Sequence, residues 1–248
     1  MAIVELEAVH KVYPLGRTEV KAVNGVSFRI ERGDFISIAG PSGSGKSTIL
    51  NLIGCIDTPT SGAVRIDGES TSGLSDRAIT TLRHRFIGFI FQSFNLVPVL
   101  NVFENVEFPL LLGKESASKS ERRDYVDFLI EEVGLSRWRD HRPNELSGGQ
   151  RQRVAIARAL VTKPQIVLAD EPTANLDSKT GSSIIELMKK VNRDLDTTFI
   201  FSTHDASIVE IADHVIRLLD GMVIEDRRRA GNGTPVEVPE AGFGSGAK

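Results

Sequence analysis

The chain has 248 residues, 40% of them hydrophobic and 25% charged, which fits one large soluble domain or two small, closely packed ones. The formal net charge of −3 provides no overall attraction to nucleic acid and argues against such a partner. Cys55 is the only cysteine, so an internal disulfide is excluded. Its apolar neighbours predict a buried structural thiol in a reducing compartment.

The N-terminus lacks the basic start and apolar block of a secretion signal. No apolar run approaches the ~20 residues that a membrane-spanning helix needs. We therefore expect a soluble, cytoplasmic protein whose connection to any membrane depends on a partner.

The first predicted elements are strands. Val4, Leu6 and Ala8 alternate with charged residues, and residues 26–30 repeat the pattern before a turn at 31–34. This predicts two antiparallel strands joined as a hairpin. Residues 35–39 are almost continuously apolar, as expected of a parallel strand covered on both faces. A glycine-rich loop at 40–48 follows, then a predicted helix at 48–56.

The later patterns alternate between strands and helices. Residues 101–158 read as mostly helical, with interruptions expected at Pro109, Gly113, Gly134 and Pro143. Asp220-Gly221 predicts a tight turn between two closing strands. Strands are also predicted at 61–67, 87–91, 165–169, 198–202, 215–219 and 222–225, and helices at 75–85 and 178–195.

The expected architecture is one α/β domain at residues 1–229. It combines a parallel core sheet, an antiparallel β lobe, and a helical subdomain inserted at about 70–160. Residues 230–248 are rich in Gly, Pro and Ala and have little periodicity, so we expect a flexible tail.

The loop after the first buried strand fits the pattern G-x-x-x-x-G-K-[ST] without departure, which predicts a P-loop NTPase core that binds MgATP. Its glycines let backbone N–H groups face phosphate oxygens, and the helix that follows adds the positive end of its dipole. Lys46 is expected to contact the β- and γ-phosphates, and Ser47 to coordinate Mg²⁺. The predicted nucleotide-binding residues of the loop are Gly40, Pro41, Ser42, Gly43, Ser44, Gly45, Lys46, Ser47 and Thr48.

Two carboxylates, Asp170 and Glu171, directly follow the apolar strand at 165–169. The carboxyl ends of parallel strands form the ligand crevice of such folds, so both side chains can face the nucleotide. We expect Asp170 to hold Mg²⁺, directly or through water, and Glu171 to orient and deprotonate the attacking water. Outside this context, an Asp-Glu pair would more often be a solvated strand end or a helix cap.

A second candidate anion site is Leu146-Ser147-Gly148-Gly149-Gln150, which precedes a helix predicted at 151–161. Ser147 and Gln150 have the spacing of a capping box. A cap does not require two glycines, each of which costs about 1 kcal/mol of helix propensity. Bare glycines beside a serine at a helix start suit close approach by an anion.

Leu146–Gln150 resembles the signature motif of ATP-binding cassette (ABC) ATPases, and four further motifs follow that family's order over residues 3–226. Gln92 resembles the Q-loop glutamine, which contacts Mg²⁺ and the water site. His204 resembles the switch histidine, and Asp177 belongs to a segment similar to the D-loop at the dimer interface. Tyr13 resembles the aromatic residue that stacks on adenine. Tyr13 could also be a packing residue, and Asp177 only a helix cap.

The resemblance implies a head-to-tail dimer. Each ATP would lie between the phosphate loop of one copy and Ser147, Gly148, Gly149 and Gln150 of the other. It also implies a transmembrane permease subunit, received near residues 94–112, and hence a location at the cytoplasmic face of the cell membrane. No nucleic-acid partner is expected.

Within the family, residues 51–57, 91–112 and 168–177 look most like the lipoprotein-releasing (LolD-like) and macrolide- or haem-exporting (MacB-like) branch. Gln150 stands where lipoprotein-releasing relatives often carry glutamate, so the resemblance stops at the branch. Other readings remain open: a cell-division cassette that drives wall hydrolysis without transport, a cytosolic ABC ATPase acting on DNA or ribosomes, and a phosphotransferase. The transported substrate is not readable from the sequence.

Overall fold

The computed structural model describes residues 2–16, 18–113 and 118–229, and the backbone of 235–237. Two sheets organise this part of the chain. The strands are β1 (Ala2–Leu15), β2 (Thr18–Glu31), β3 (Phe35–Ala39), β4 (Ser61–Ile66), β5 (Glu69–Ser70), β6 (Ile87–Ile90), β7 (Ile166–Asp170), β8 (Thr198–Thr203), β9 (His214–Leu219), β10 (Met222–Arg229) and β11 (Pro235–Glu237).

The antiparallel lobe is a four-stranded sheet in the order β2-β1-β4-β5. Strands β1 and β2 pair along most of their length, from Ala2 opposite Glu31 to Leu15 opposite Thr18. The predicted hairpin is therefore confirmed, although both strands are much longer than the alternating segments that predicted them. The register shifts between Ala2 and Val4 and again between Leu6 and Val12, so the side-chain alternation is interrupted there.

The core sheet has the order β11-β10-β9-β3-β8-β7-β6. Strands β3, β6, β7, β8 and β9 run parallel, and β10 and β11 add an antiparallel edge. All residues of β3 and the first four of β7 are buried, as their apolar sequences predicted, and β8 is also fully buried. The parallel core with a separate antiparallel lobe confirms the expected α/β class.

The register of the parallel strands aligns their carboxyl ends. Ala39 lies opposite Thr203, Asp170 opposite Ser202, and Ile90 opposite Ala169. The loops after β3, β6, β7 and β8 therefore leave the sheet along one edge, where ligands of doubly wound folds bind.

The described residues contain seven α-helices, and the extents of three of them differ from the prediction. Helix α1 begins at Lys46 and α5 at Gly148, each earlier than predicted, because Gly45 and Ser147 are the N-caps. Helix α3 continues through Pro109, which was expected to interrupt it. The helices are α1 (Lys46–Ile53), α2 (Asp76–Phe86), α3 (Val102–Leu112), α4 (Lys119–Glu132), α5 (Gly148–Leu160), α6 (Ser178–Leu195) and α7 (Ala206–Ile211).

Two apolar clusters form the core. One packs α3, α4, α5 and α6 against the sheet, and the other packs the antiparallel lobe and α1 against it. Cys55 belongs to the second cluster, and burial raises the pKa of its thiol to about 11. The predicted flexible tail at 230–248 lies outside the described residues, except that the backbone of β11 pairs with β10.

Candidate active site at the carboxyl edge of the core sheet

The phosphate loop joins the end of β3 to the start of α1. Gly45 caps the helix with a φ of 99°, and a Cβ added there would lie 2.4 Å from the carbonyl oxygen of Ala22. Both the backbone conformation and the close approach of β2 therefore require glycine. The loop is fixed by its surroundings, with its N–H groups at a helix N-terminus that suits an anion.

Lys46 occupies the first position of α1 and is only 7% exposed. Its ammonium donates to the carbonyl oxygens of Gly40 and Pro41, at 2.9 Å each. Both acceptors are neutral, and no ion pair involving Lys46 occurs within the part of the chain that the structure describes. A buried cation in this position is suited to a negative phosphate oxygen.

Ser47 and Asp170, both predicted to bind metal, lie together. The Ser47 hydroxyl donates to Asp170 Oδ1 across 3.1 Å, which joins the start of α1 to the end of β7. Hydroxyl and carboxylate oxygens are hard ligands that Mg²⁺ accepts, and it usually takes the rest of its shell from water and phosphate. Among the described residues, no group of three or more His, Cys, Asp or Glu side chains could hold a metal ion.

Glu171 and His204 form the second pair that the sheet register brings together. Glu171 Oε1 lies 2.8 Å from His204 Nδ1; the His204 side chain is 70% exposed and that of Glu171 is 16% exposed. Glu171 has a φ of 45°, and its N–H donates to the carbonyl oxygen of Ser202. A left-handed backbone is unfavourable for a residue with a Cβ, so surrounding contacts must hold it in place.

Gln92 follows β6, and its side chain is exposed. Its carbonyl oxygen accepts a hydrogen bond from Asn175 Nδ2 at 2.8 Å. The next turn holds Phe94 and Asn95 in the left-handed region, with φ of 61° and 48°. Arg158 of α5 donates to both of their carbonyl oxygens, at 2.7 and 2.6 Å. The segment is thus held from two directions.

Ser147 and Gln150 do form a capping box. The Gln150 N–H donates to Ser147 Oγ at 3.3 Å, and the Ser147 N–H donates to Gln150 Oε1 at 2.8 Å. A Cβ on Gly149 would lie 2.5 Å from Thr180 Cγ2, so this glycine also has a packing role. Among the described residues, no hydrogen bond joins this motif to the phosphate loop.

Asp177 is the N-cap of α6, because its Oδ1 accepts from the Thr180 N–H at 3.0 Å. Hydrogen bonds to Thr180 hold the pKa of Asp177 below its ordinary value. The capping role weighed in the sequence is therefore present. The neighbouring Leu176 and Thr180 lie close to the signature motif, because Cβ atoms added at Gly148 and Gly149 would lie 3.3 and 2.5 Å from them.

Tyr13 lies near the end of β1 and is half-buried. Its hydroxyl donates to Asp57 Oδ2 at 2.7 Å, and the Lys11 ammonium lies over its ring, 4.9 Å from the centroid. Burial and the Asp57 carboxylate raise the pKa of Tyr13. The ring is fixed by contacts within the chain, with its edge tied to the turn after α1.

The family model described as ABC transporter matches residues 23–174, which include the phosphate loop, the signature and both carboxylates. The chain belongs to the ABC transporter family. Protein LolD 1 of Rhodopseudomonas palustris, a lipoprotein-releasing system ATP-binding protein, is 45% identical over 89% of this chain and 98% of its own length. The macrolide export ATP-binding/permease protein MacB of Syntrophobacter fumaroxidans is 41% identical over 90% of this chain and 31% of its own length.

A solved structure gives the same result. It is the dimeric post-hydrolysis state of the cassette MJ0796 of Methanocaldococcus jannaschii, bound to ADP and Pi. It is 46% identical, with a TM-score of 0.84, and the match covers 91% of this chain and 98% of that one. This ABC protein is therefore an ATPase that binds ATP with Mg²⁺. Among the described residues, no helix has the length and apolar character needed to cross a bilayer.

Three contacts at the site of this ABC ATPase were not predicted. Asn175 was recognised only as part of a motif, Asp57 only as part of a similar stretch, and Arg158 not at all. Arg158 is the only charged residue in the apolar stretch 154–161, and this was the one available signal, since a charged residue among buried neighbours needs a partner. The partners themselves are distant in sequence and leave no local pattern.

Proposed function

We propose that the chain is the ATP-hydrolysing subunit of an ABC transporter complex, in which MgATP binds between two copies arranged head to tail. Hydrolysis then changes the conformation of a transmembrane permease subunit. The observation that carries the proposal is the convergence of Lys46, Ser47, Asp170, Glu171 and His204 along one edge of the core sheet.

In this proposal, the phosphate loop from Gly40 to Thr48 binds the triphosphate. Lys46 exchanges its carbonyl partners for β- and γ-phosphate oxygens. Ser47 Oγ and Asp170 hold Mg²⁺, which neutralises phosphate charge, and Gln92 completes the metal and water site. The 3.1 Å contact between Ser47 Oγ and Asp170 Oδ1 supports this assignment, because the two oxygens already lie next to each other.

Glu171 is the general base. Its carboxylate is mostly shielded and is held at the end of β7, which suits a group that must orient one water molecule. His204 lies 2.8 Å from Glu171 and is the group that contacts the γ-phosphate. Through this contact, the general base senses whether the γ-phosphate is bound. The contact between the two side chains within one chain supports this direct coupling of Glu171 to the γ-phosphate.

The other half of the site is assigned to the second copy. Ser147, Gly148, Gly149 and Gln150 present the N-terminus of α5, whose dipole suits an anion. Asp177, capping α6 beside them, would lie at the same interface.

The permease subunit would be received by α3 and the segment before it. Val99, Phe108, Leu111 and Leu112 expose 39% to 71% of their surface, although large apolar side chains are normally buried. The likeness to LolD 1 and MacB favours a lipoprotein-releasing or efflux system over a cell-division role. The chain would then work at the cytoplasmic face of the cell membrane.

The test is Glu171→Gln in the full chain. Loss of the general base should lower ATP turnover about 100- to 10,000-fold. Nucleotide binding should persist, because the amide keeps the shape of the side chain. The variant should therefore accumulate as an ATP-bound dimer, measured by steady-state turnover and by sedimentation with MgATP.

The matched control is Glu186→Gln on α6, which removes the same charge from an exposed position away from the sheet edge. It should keep wild-type turnover and a monomer–dimer equilibrium like that of the wild type. Near wild-type turnover by Glu171→Gln would remove the base assignment. Slow turnover without any nucleotide-dependent dimer would instead contradict the shared site.

A further inference from the structure

Beside Tyr13 lies an ion pair, Lys11 with Asp57, that has no role in the proposed catalytic cycle. Asp57 lies in the turn after α1, and Lys11 precedes Tyr13 on β1. Lys11 and Asp57 form an ion pair at 2.6 Å, with side chains only 12% and 26% exposed. Pairs exposed to solvent contribute little to stability, whereas this pair is largely shielded and therefore holds a defined geometry.

Each Asp57 oxygen has its own donor. Oδ2 accepts from the Tyr13 hydroxyl at 2.7 Å, and Oδ1 accepts from Lys11 at 2.6 Å and from the Thr58 N–H at 2.7 Å. Burial alone would raise the pKa of Asp57, but these hydrogen bonds outweigh it and lower the value. The carboxylate is therefore a fixed anchor for two side chains of β1.

Lys11 is itself fixed, because its ammonium also donates to the carbonyl oxygen of Thr58 at 2.8 Å. From that position it lies over one face of the Tyr13 ring. A cation on one face makes a favourable contact with the ring and leaves the opposite face for stacking. The three side chains form what we call the ring clamp: Lys11, Tyr13 and Asp57.

The ring clamp also ties Tyr13 to the helix that carries the phosphate loop. Asp57 lies four residues beyond Ile53, the last residue of α1, and its carboxylate accepts from the Tyr13 hydroxyl at 2.7 Å. This short contact ties the ring to the turn that directly follows the helix beginning with Lys46. The ring therefore has a set position relative to the triphosphate, although it comes from the other lobe.

We propose that Asp57 and Lys11 are positioning residues for the nucleobase: they lock the Tyr13 ring, so that the base is recognised by stacking on a preorganised face. The inference rests on the proposed function, which assigns Tyr13 to the adenine. The affinity gain comes from ordering the ring before the nucleotide arrives, since a ring that must be immobilised on binding costs side-chain entropy.

The experiment separates the base from the phosphates. The full-length variants Asp57→Ala, Tyr13→Phe and Tyr13→Ala are titrated calorimetrically with the Mg²⁺ complexes of AMP-PNP and of inorganic tripolyphosphate. Tyr13→Ala should raise the Kd for AMP-PNP about tenfold, equivalent to about 1.4 kcal/mol of lost stacking. Asp57→Ala and Tyr13→Phe, which keep the ring but free it, should raise it about three- to fivefold. The Kd for tripolyphosphate should stay within about twofold in all three, because no base is present to stack.

Two further variants control for structural effects. Asp57→Asn retains an oxygen that can accept from Tyr13 and should recover part of the affinity for AMP-PNP. Asp67→Ala breaks the Arg32–Asp67 ion pair elsewhere in the same lobe and should bind both probes like the wild type. If Asp57→Ala does not fold, Tyr13→Phe carries the same test, because it removes only the hydroxyl.

The outcomes are distinguishable. An unchanged AMP-PNP affinity in Tyr13→Ala would remove the adenine role of Tyr13 from the proposed function. A large effect of Tyr13→Ala with none from Asp57→Ala or Tyr13→Phe would overturn the ring clamp and leave the proposed function intact. Equal losses for AMP-PNP and tripolyphosphate would show that Asp57 only supports the fold, and would also overturn it.

Discussion

Arg158 offers a test of how the Gln92 segment is held. This half-buried side chain donates to the carbonyl oxygens of Phe94 and Asn95, two consecutive residues in the left-handed region. Such a backbone costs about 1–2 kcal/mol per residue for side chains with a Cβ. It persists only because surrounding contacts stabilise it, and the guanidinium supplies two of them.

The magnitude follows from those two bonds. A hydrogen bond from a charged donor contributes about 1.5–3 kcal/mol. The Asn95 carbonyl is exposed and can bond to water instead, so Arg158→Met should cost about 2 kcal/mol of unfolding free energy, mainly through Phe94. For a chain of this size that lowers the Tm by about 4–8 °C. The freed turn should also displace Gln92, and such misplacement should lower kcat about tenfold or more.

The same helix provides the control. Arg153 of α5 donates to the Val133 carbonyl at 2.9 Å and to Ser183 Oγ at 2.8 Å, away from the Gln92 turn. Arg153→Met should lower the Tm by a similar amount while kcat, measured well below either Tm, stays within about twofold of the wild type. Equal kcat losses in the two variants, or an unchanged kcat in Arg158→Met, would refute the positioning role.

Two other sites give independent predictions. Burial alone would lower the pKa of His214, but Asp226 at 2.6 Å and Asp34 at 3.6 Å outweigh burial and the repulsion of Arg228, so the pKa is raised above its ordinary 6.5. The resulting stabilisation is complete below pH 6.5 and is lost as the pH rises through the raised pKa. The free energy of unfolding in urea should therefore fall, for the wild type, towards that of His214→Gln over this pH range. If the two proteins instead keep a constant difference in unfolding free energy, His214 does not couple its protonation to stability. Leu111, whose side chain is 55% exposed, tests the partner interface. Leu111→Glu should prevent co-purification with a membrane subunit from native cells but leave the ATP turnover of the isolated chain within about twofold of the wild type. If the variant still co-purifies, α3 is not part of the partner interface.

The elements of the core were predictable because burial on both faces leaves a continuous apolar run. Residues 35–39 and 165–169 show this pattern and correspond to the core strands β3 and β7. Helix ends were less predictable: α5 starts at Gly148 because the Ser147–Gln150 capping box outweighs the low helix propensity of two glycines. Pro109 remains inside α3, since one missing N–H does not offset the packing of an apolar helix on the core.

The candidate site likewise has parts that the sequence predicts and parts that it does not. Motifs with fixed spacing, such as the phosphate loop and Asp170-Glu171, depend on local backbone geometry and were readable directly. The 3.1 Å contact of Ser47 with Asp170 spans 123 positions, and that of Tyr13 with Asp57 spans 44. Such contacts arise from sheet register and lobe packing, and a single sequence records neither.

One structural relation connects the two halves of the proposed mechanism. Helix α5 begins at the signature motif and carries Arg158 close to its other end. A rise of about 1.5 Å per residue separates the two by roughly 15–20 Å of rigid helix. If the signature grips a nucleotide on the partner copy, any rotation of α5 must also move the carbonyl contacts of Arg158 on the turn after Gln92.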